Sequence, residues 1–222
     1  HEHKHEGTEP VFWLDGLDVG LVRTLAASFF EPYEDGFYPL KAEENYTNEQ
    51  FVHGAFKKLN ETVEPGYPSP VFGYKFHRVE YLLNNMKEEE NDLYDGYAIE
   101  YINPVNGGSA DSRIGTMMQK LTPKQHTKAH RHVHSAIYYV LEGEGYTVID
   151  GVKFEWEKGD FFILPPWSYH EHVNTGNSDA YLFSFNDKPV MEKLELEFGE
   201  TLKENNGHQE IKSTFKPESL SV

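Results

Sequence analysis

Cysteine is absent from the 222-residue sequence. That excludes disulfides and thiolate metal ligands together, so a metal here must be held by His or carboxylate. It also fits a reducing compartment, and a cytoplasmic setting is expected. No apolar run approaches the ~20 residues needed to cross a bilayer, and no signal peptide opens the chain. An initiator Met is missing as well, from which a trimmed or processed amino terminus is expected. Cations are scarce, with 20 Lys and Arg against 37 Asp and Glu and a formal net charge of −17. Such a field repels nucleic acid and anionic membranes, so neither is expected as a partner. Solubility is the simplest reading of the charge.

What remains is ample for a core. Hydrophobic residues make up 38% of the chain and aromatics 14%, and the Phe and Tyr content favours strands. Residues 10–15 read as a strand, Leu17 to Phe30 as a helix with Leu17, Leu21, Leu25 and Ala26 near helical spacing. From Pro32 to about Pro70 the text is rich in Pro, Gly, Asn and Glu, which suggests linker with one short helix near Glu49–Leu59. Phe76 to Met86 reads as helix, and Lys87–Asp92 as solvated acidic surface.

From Tyr97 the pattern changes to short strands: Tyr97–Tyr101, Ile114–Leu121, Ala129–His134, Ile137–Leu141, Tyr146–Ile149, Lys153–Trp156, Phe161–Leu164, His170–Val173 and Tyr181–Phe185. Turn signals separate them at Asn106-Gly107-Gly108, Glu142-Gly143-Glu144-Gly145, Asp150-Gly151 and Lys158-Gly159. The expected fold is therefore all-β, an antiparallel barrel or sandwich. Pro189 to Leu196 is expected to close it as a helix, with a polar, loosely ordered tail after Gly199.

The chain also matches itself at a shift of 169 residues. His1-Glu2-His3 then falls on His170-Glu171-His172, Val11–Leu14 on Ala180–Phe183, Asp18 on Asp187, Leu21 on Val190 and Leu25 on Leu194. A His-rich amino terminus is often a purification remnant, but this match continues into non-His positions. A duplication whose first copy lies mostly upstream is expected.

Two histidine groups carry the chemistry. The first is His130-Arg131-His132; the second is Pro165-Pro166-Trp167-Ser168-Tyr169-His170-Glu171-His172. Residues i and i+2 on a strand share a face, so each group can aim two imidazoles into one interior. His126, His130, His132 and His134 share one parity, so geometry alone allows several ligand pairs. An exposed His cluster on an edge strand is the bland alternative. A second His-rich strand in the same domain argues against it, and a metal site is expected.

The two groups resemble the paired motifs of the cupins. The first runs through Lys124, His130, His132, Ala136 and Gly143; the second through Gly159, Pro165, Trp167, His170 and Asn174. Lys124 and Trp167 stand where Gly is usual, and Ala136 where a Glu ligand is usual. Ala-His-Arg-His at 129–132, Val-Leu-Glu-Gly-Glu-Gly-Tyr at 140–146 and Pro-Pro-Trp-Ser-Tyr-His-Glu-His-Val-Asn at 165–174 resemble the gentisate 1,2-dioxygenase group, with its salicylate and 1-hydroxy-2-naphthoate members. Similar text continues at Asp95-Gly96, Glu100–Pro104, Gly107-Gly108, Leu182–Val190 and Glu9–Asp18.

The resemblance implies a double-stranded β-helix, jelly-roll-like, with a partly helical amino-terminal extension. These enzymes are bicupins, which divides the chain into residues 1–65 (the end of a preceding cupin copy plus linker and helix), 66–198 (a cupin barrel) and 199–222 (a polar tail). It implies His130, His132 and His170 as ligands of Fe2+, with Zn2+, Ni2+ or Mn2+ possible in the same cage. The expected partners are a small aromatic carboxylate and dioxygen, the expected reaction is ring cleavage with both oxygen atoms incorporated, and a homo-oligomer is expected. His172 and Gln119 are carried over as groups near the substrate, against structural roles for each.

One departure is serious. Catalytic first cupins of the family place an Arg where this chain has Tyr138. Arg113, Lys124, Lys128 and Arg131 are alternative cations, with Arg131 expected to point away. Trp167 is expected to pack the corner, and Asp187 to cap a helix. The competing readings are a non-catalytic metal-binding half and a lyase-type or binding cupin using another metal. The missing carboxylate ligand disfavours Mn2+.

Overall fold

The computed structural model describes residues 5–34, 36, 39, 69–71 and 73–217. The short helix expected near Glu49–Leu59 lies outside them. In chain order the elements are helix α1 (Val19–Thr24), helix α2 (Phe76–Asn85), strands β1 (Tyr97–Glu100), β2 (Gly115–Leu121), β3 (His130–His132), β4 (Ala136–Glu142), β5 (Glu144–Ile149), β6 (Val152–Glu157), β7 (Phe161–Leu164), β8 (His170–Asn174) and β9 (Ala180–Asn186), helix α3 (Lys188–Lys193), and strands β10 (Gly199–Thr201) and β11 (Ser213–Thr214).

Two sheets face each other. One has the order β1-β2-β9-β4-β7 and the other β10-β3-β8-β5-β6-β11. All pairings are antiparallel except β11 with β6. This is the double-stranded β-helix, and each expected strand from Tyr97 to Phe185 is present within a residue or two.

Period-two alternation sets the layers. Along β7, Phe162 and Leu164 are buried while Phe161 and Ile163 are exposed. The inward residues of both sheets meet in one cluster of Leu121, Tyr138, Val140, Ile149, Trp156, Phe162, Leu164 and Leu182. Burial of this kind is worth about 25 cal/mol per Å2 of apolar surface, which closes the sheets on each other. The outer face of the five-stranded sheet is covered in part by α2, whose Val79 and Leu83 pack on Met118 and Tyr181. Close approach is enforced at Gly145 on β5, where a Cβ would overlap the Val173 carbonyl and the Trp156 ring.

Three expectations are corrected. Residues 10–15 form no strand; Trp13 and Leu14 instead border a groove on the outer sheet face with Tyr74, Tyr101 and Phe183, while Phe12 is exposed. The helix expected over Leu17–Phe30 spans only Val19–Thr24, because Ala26 turns left-handed (φ 51°) and the Ala27 N–H closes on the Val22 carbonyl at 3.0 Å. The segment after Gly199 is ordered where it pairs. β10 lies along β3, with Gly199 opposite His132 and Thr201 opposite His130.

The self-match recurs in the backbone. α1 and α3 are both six residues long and 169 residues apart. Asp18 (φ −93°, ψ 20°) and Asp187 (φ −99°, ψ 16°) precede them, and the left-handed Ala26 (φ 51°) and Glu195 (φ 58°) end them. Asp187 stands at the cap position but makes no side-chain cap. Its Oδ1 accepts instead from the Ser135 N–H at 2.7 Å, which ties α3 to the entry of β4.

The two cupin positions where Gly is usual are both left-handed here, Lys124 with φ 63° and Trp167 with φ 61°. A side chain in that region costs roughly 1–2 kcal/mol. The Trp167 N–H donates to the His132 carbonyl at 2.8 Å and its ring stacks on Phe198, so the corner is packed as expected.

Candidate metal centre

β3 and β8 are neighbours in register, with His130 directly opposite His170. That pairing puts the two rings 4.2 Å apart. His132, two residues along the same face, brings its ring 4.9 Å from His170 and 5.5 Å from His130. One nitrogen from each ring lies within 4.8 Å of the others. Separate strands therefore deliver three imidazoles to one point, with His170 fully buried.

Hydrogen bonds orient the rings. Nδ1 of His132 lies 2.8 Å from the His134 carbonyl, and Nδ1 of His170 lies 3.2 Å from the Ser168 carbonyl. A carbonyl only accepts, so these Nδ1 atoms carry protons and Nε2 is the lone-pair nitrogen. Nε2 of His170 and Nδ1 of His130 are buried without a hydrogen-bond partner. Buried polar atoms are rarely left so, and a cation at the cluster would satisfy them. Burial holds the protonation equilibria of His130 and His132 down to about 4, opposed at His130 by Asp92. His170 is also held well below the ordinary histidine range, by burial first and then by the neighbouring imidazoles. Rings that stay neutral in water-poor surroundings are ready ligands.

His172 lies one turn of the pleat beyond His170 and is fully buried. Its Nδ1 is 2.9 Å from Oγ1 of Thr147, directly opposite on β5. The Trp156 indole N–H donates to the same oxygen at 3.0 Å. The Thr147 hydroxyl proton has no acceptor other than Nδ1 among the described residues, so the arrangement that satisfies it has Thr147 donating to Nδ1 and His172 carrying its own proton on Nε2. That Nε2 has no partner and is buried. Burial lowers the His172 pKa to about 3, so the ring is a neutral donor.

Gln119 sits on β2 of the facing sheet and is fully buried. Its Nε2 donates to Oδ1 of Asp95 at 2.7 Å, which leaves its Oε1 without a partner. Asp95 is a group the motifs did not single out. Burial, with Asp92 adding to it, raises its pKa to about 6, while His132, Lys188 and Gln119 pull it down. Its place in the Asp95-Gly96 text was the available signal.

The remaining candidates lie elsewhere. His134 stacks on His132 at 3.5 Å and its Nδ1 meets Glu197 at 2.7 Å. His126 is drawn to the opposite side of β8, beside Glu171. Arg113 pairs with Asp18 at 2.6 Å, and Lys124 donates to the Thr175 carbonyl. Arg131 points outward as expected, bound to Glu200 and sandwiched by Trp167 and Tyr169. Tyr138 is buried against Phe162 and His172, at ring distances of 4.8 and 5.1 Å.

A cupin domain model matches residues 117–186, which spans β2 to β9 and includes all three clustered histidines. Curated relatives align over nearly the whole chain. A 5-aminosalicylate 1,2-dioxygenase from a Comamonas species is 35% identical over 217 residues, covering 97% of this chain and 57% of the relative. A gentisate 1,2-dioxygenase from Aquipseudomonas alcaligenes is 31% identical, covering 87% of this chain and 55% of the relative. Residues 117–186 form a cupin domain, and the chain is similar to 1,2-dioxygenases that act on gentisate and aminosalicylate. The salicylate 1,2-dioxygenase of Pseudaminobacter salicylatoxidans shares the fold with a TM-score of 0.71 at 25% identity, over 82% of this chain and 53% of that one. The same enzyme with gentisate bound superimposes with a TM-score of 0.72. This cupin spans about half the length of the curated relatives it matches. Among the described residues no helix is long and apolar enough to cross a membrane.

Proposed function

We propose that this chain is the carboxy-terminal cupin of a non-haem Fe2+ dioxygenase of the gentisate type, cleaving the ring of a small hydroxylated aromatic carboxylate. The observation that carries this reading is the convergence of His130, His132 and His170, with buried nitrogens of His130 and His170 that lack a hydrogen-bond partner. The donor set suits Fe2+: three neutral imidazoles take none of the ion's charge and leave about three positions open. When bound, the ion would bring a chelating phenolate-carboxylate and dioxygen together, so that both oxygen atoms enter the ring.

The chain's own groups do the rest. His172 presents a protonated Nε2 on the same face as His170 and donates to an oxygen of the substrate. Thr147 and Trp156 hold that proton in place. Gln119, oriented by Asp95, offers its Oε1 toward the interior as an acceptor. The surrounding Tyr138, Phe162 and Leu164 exclude water.

The domain plan belongs to the same proposal. Residues 1–65 end a preceding cupin copy and link it onward, 66–198 form the barrel, and 199–222 form the tail. The equal lengths and matching ends of α1 and α3 support it. So does the apolar surface of Phe12, Phe29 and Phe30, more than nine-tenths exposed, which fits burial against that copy or in a homo-oligomer. A cytoplasmic setting completes the reading.

A second reading has its own observation. Tyr138 is locked in the core where the family's catalytic copy has Arg, and Arg113 and Arg131 are engaged with Asp18 and Glu200. This favours a copy that binds metal while its partner copy turns over substrate. Anaerobic loading with Fe2+, followed by oxygen uptake with gentisate, salicylate and 1-hydroxy-2-naphthoate, separates the two. Uptake with any of them supports catalysis in this cupin. Iron binding without uptake on all three favours the non-catalytic, metal-binding reading.

A further inference from the structure

Strand β8 has two faces, and both carry metal-binding side chains. His170 and His172 point inward, so Glu171 between them points out. It is nonetheless only 1% exposed, because a loop and the carboxy-terminal segment close over it. The loop after β2 brings His126, whose Nε2 is 3.4 Å from Glu171 Oε2. The segment after β10 brings His208, whose Nδ1 is 3.0 Å from the same oxygen. The two imidazoles lie 4.1 Å apart, and one atom from each of the three residues lies within 4.8 Å of the others.

We propose that His126, Glu171 and His208 form a second divalent-metal site, structural and suited to Zn2+, that fastens residues 199–214 to the barrel. Two imidazoles and a carboxylate are a borderline donor set, and metal bonds of about 2.0–2.2 Å in a tetrahedral arrangement put ligand atoms roughly 3.3–3.6 Å apart. The His126 contact to Oε2, at 3.4 Å, falls in that range, and the His208 contact, at 3.0 Å, lies a few tenths of an ångström below it. The second carboxylate oxygen, Oε1, is already held by the Gln209 N–H at 3.0 Å, which fixes the group's orientation. His126 is 39% exposed, so water can fill a fourth position.

The backbone that aims His208 is a built feature. Asn205 (φ 49°), Asn206 (φ 56°) and Gly207 (φ 85°) are three consecutive left-handed residues, a conformation that persists only where surrounding contacts hold it. One such contact is the Ala129 N–H to the Gly207 carbonyl at 2.7 Å. The latch has a consequence for the inner site. The segment it holds also supplies β10, which lies along the two inner-site ligands His130 and His132.

Zn2+ stoichiometry in the full chain tests this, by equilibrium dialysis with elemental analysis. The background is H1A/H3A/H5A, so that amino-terminal histidines do not count. The expected result is two equivalents in that background, one in H208A and one in H130A/H132A. Residues 199–214 should also exchange amide hydrogens at least tenfold more slowly with Zn2+ in the background chain, and lose that protection in H208A. His208 is partly exposed and outside the core, so its variant tests the site even if H130A/H132A fails to fold. A single equivalent unaffected by H208A, or two equivalents retained in it, overturns the proposal.

Discussion

Replacing Thr147 by valine probes the inner wall of the site at constant shape. The hydroxyl is fully buried and serves two partners, accepting from Trp156 Nε1 at 3.0 Å and meeting His172 Nδ1 at 2.9 Å. Valine fills the same space and strands both. An unsatisfied buried polar group costs about 1–3 kcal/mol, so the expected loss for the two is about 2–6 kcal/mol. A midpoint shift of about 1–3 M in urea follows for a slope of about 2 kcal/mol per M. Thr147→Ser keeps the hydroxyl and loses one methyl group, so it should cost about 1 kcal/mol. Nitrogen-15 NMR of His172 supplies the second readout: the Nε2–H tautomer should dominate in the parent and in Thr147→Ser, but not in Thr147→Val. A valine variant as stable as the parent, or with an unchanged tautomer, refutes the network and with it the donor role of His172.

Acid should unfold the metal-free chain early. His130 and His132 titrate near 4 when folded but near 6.5 when unfolded. The unfolded state therefore binds more protons between those values, and stability falls as pH drops through that window. One such ring is worth on the order of 3 kcal/mol, and a stability flat from pH 7 to 4.5 would contradict the burial argument. Gly145→Ala must push the Val173 carbonyl and Trp156 apart and should cost about 3 kcal/mol, read by thermal melting. Lys124→Gly relieves a left-handed side chain and should stabilise by about 0.5–1 kcal/mol by the same assay.

The strands of the barrel were legible because alternation and turn residues report directly on a half-buried sheet. Ala136 to Glu142 alternates buried and less buried positions, although its run of apolar letters does not show which face turns inward. The three clustered histidines were legible through i, i+2 spacing and the proline corner, although parity alone left His126 and His134 as rivals. Only the fold sends His126 to the other side of β8 and His134 to Glu197. Asp95 and His208 were missed because they meet their partners through contacts 24 and 37 residues away in sequence, which no local pattern encodes. Residues 10–15 carry strand composition without a strand, because apolar side chains can cover a sheet face without joining its ladder.

The central claim is that one ion sits among His130, His132 and His170. Anomalous diffraction at the iron edge from Fe2+-loaded crystals tests it most directly. The account predicts a peak about 2.0–2.2 Å from one nitrogen of each of the three rings. Loaded crystals with no peak there, or with the three rings turned away from a common point, would contradict it.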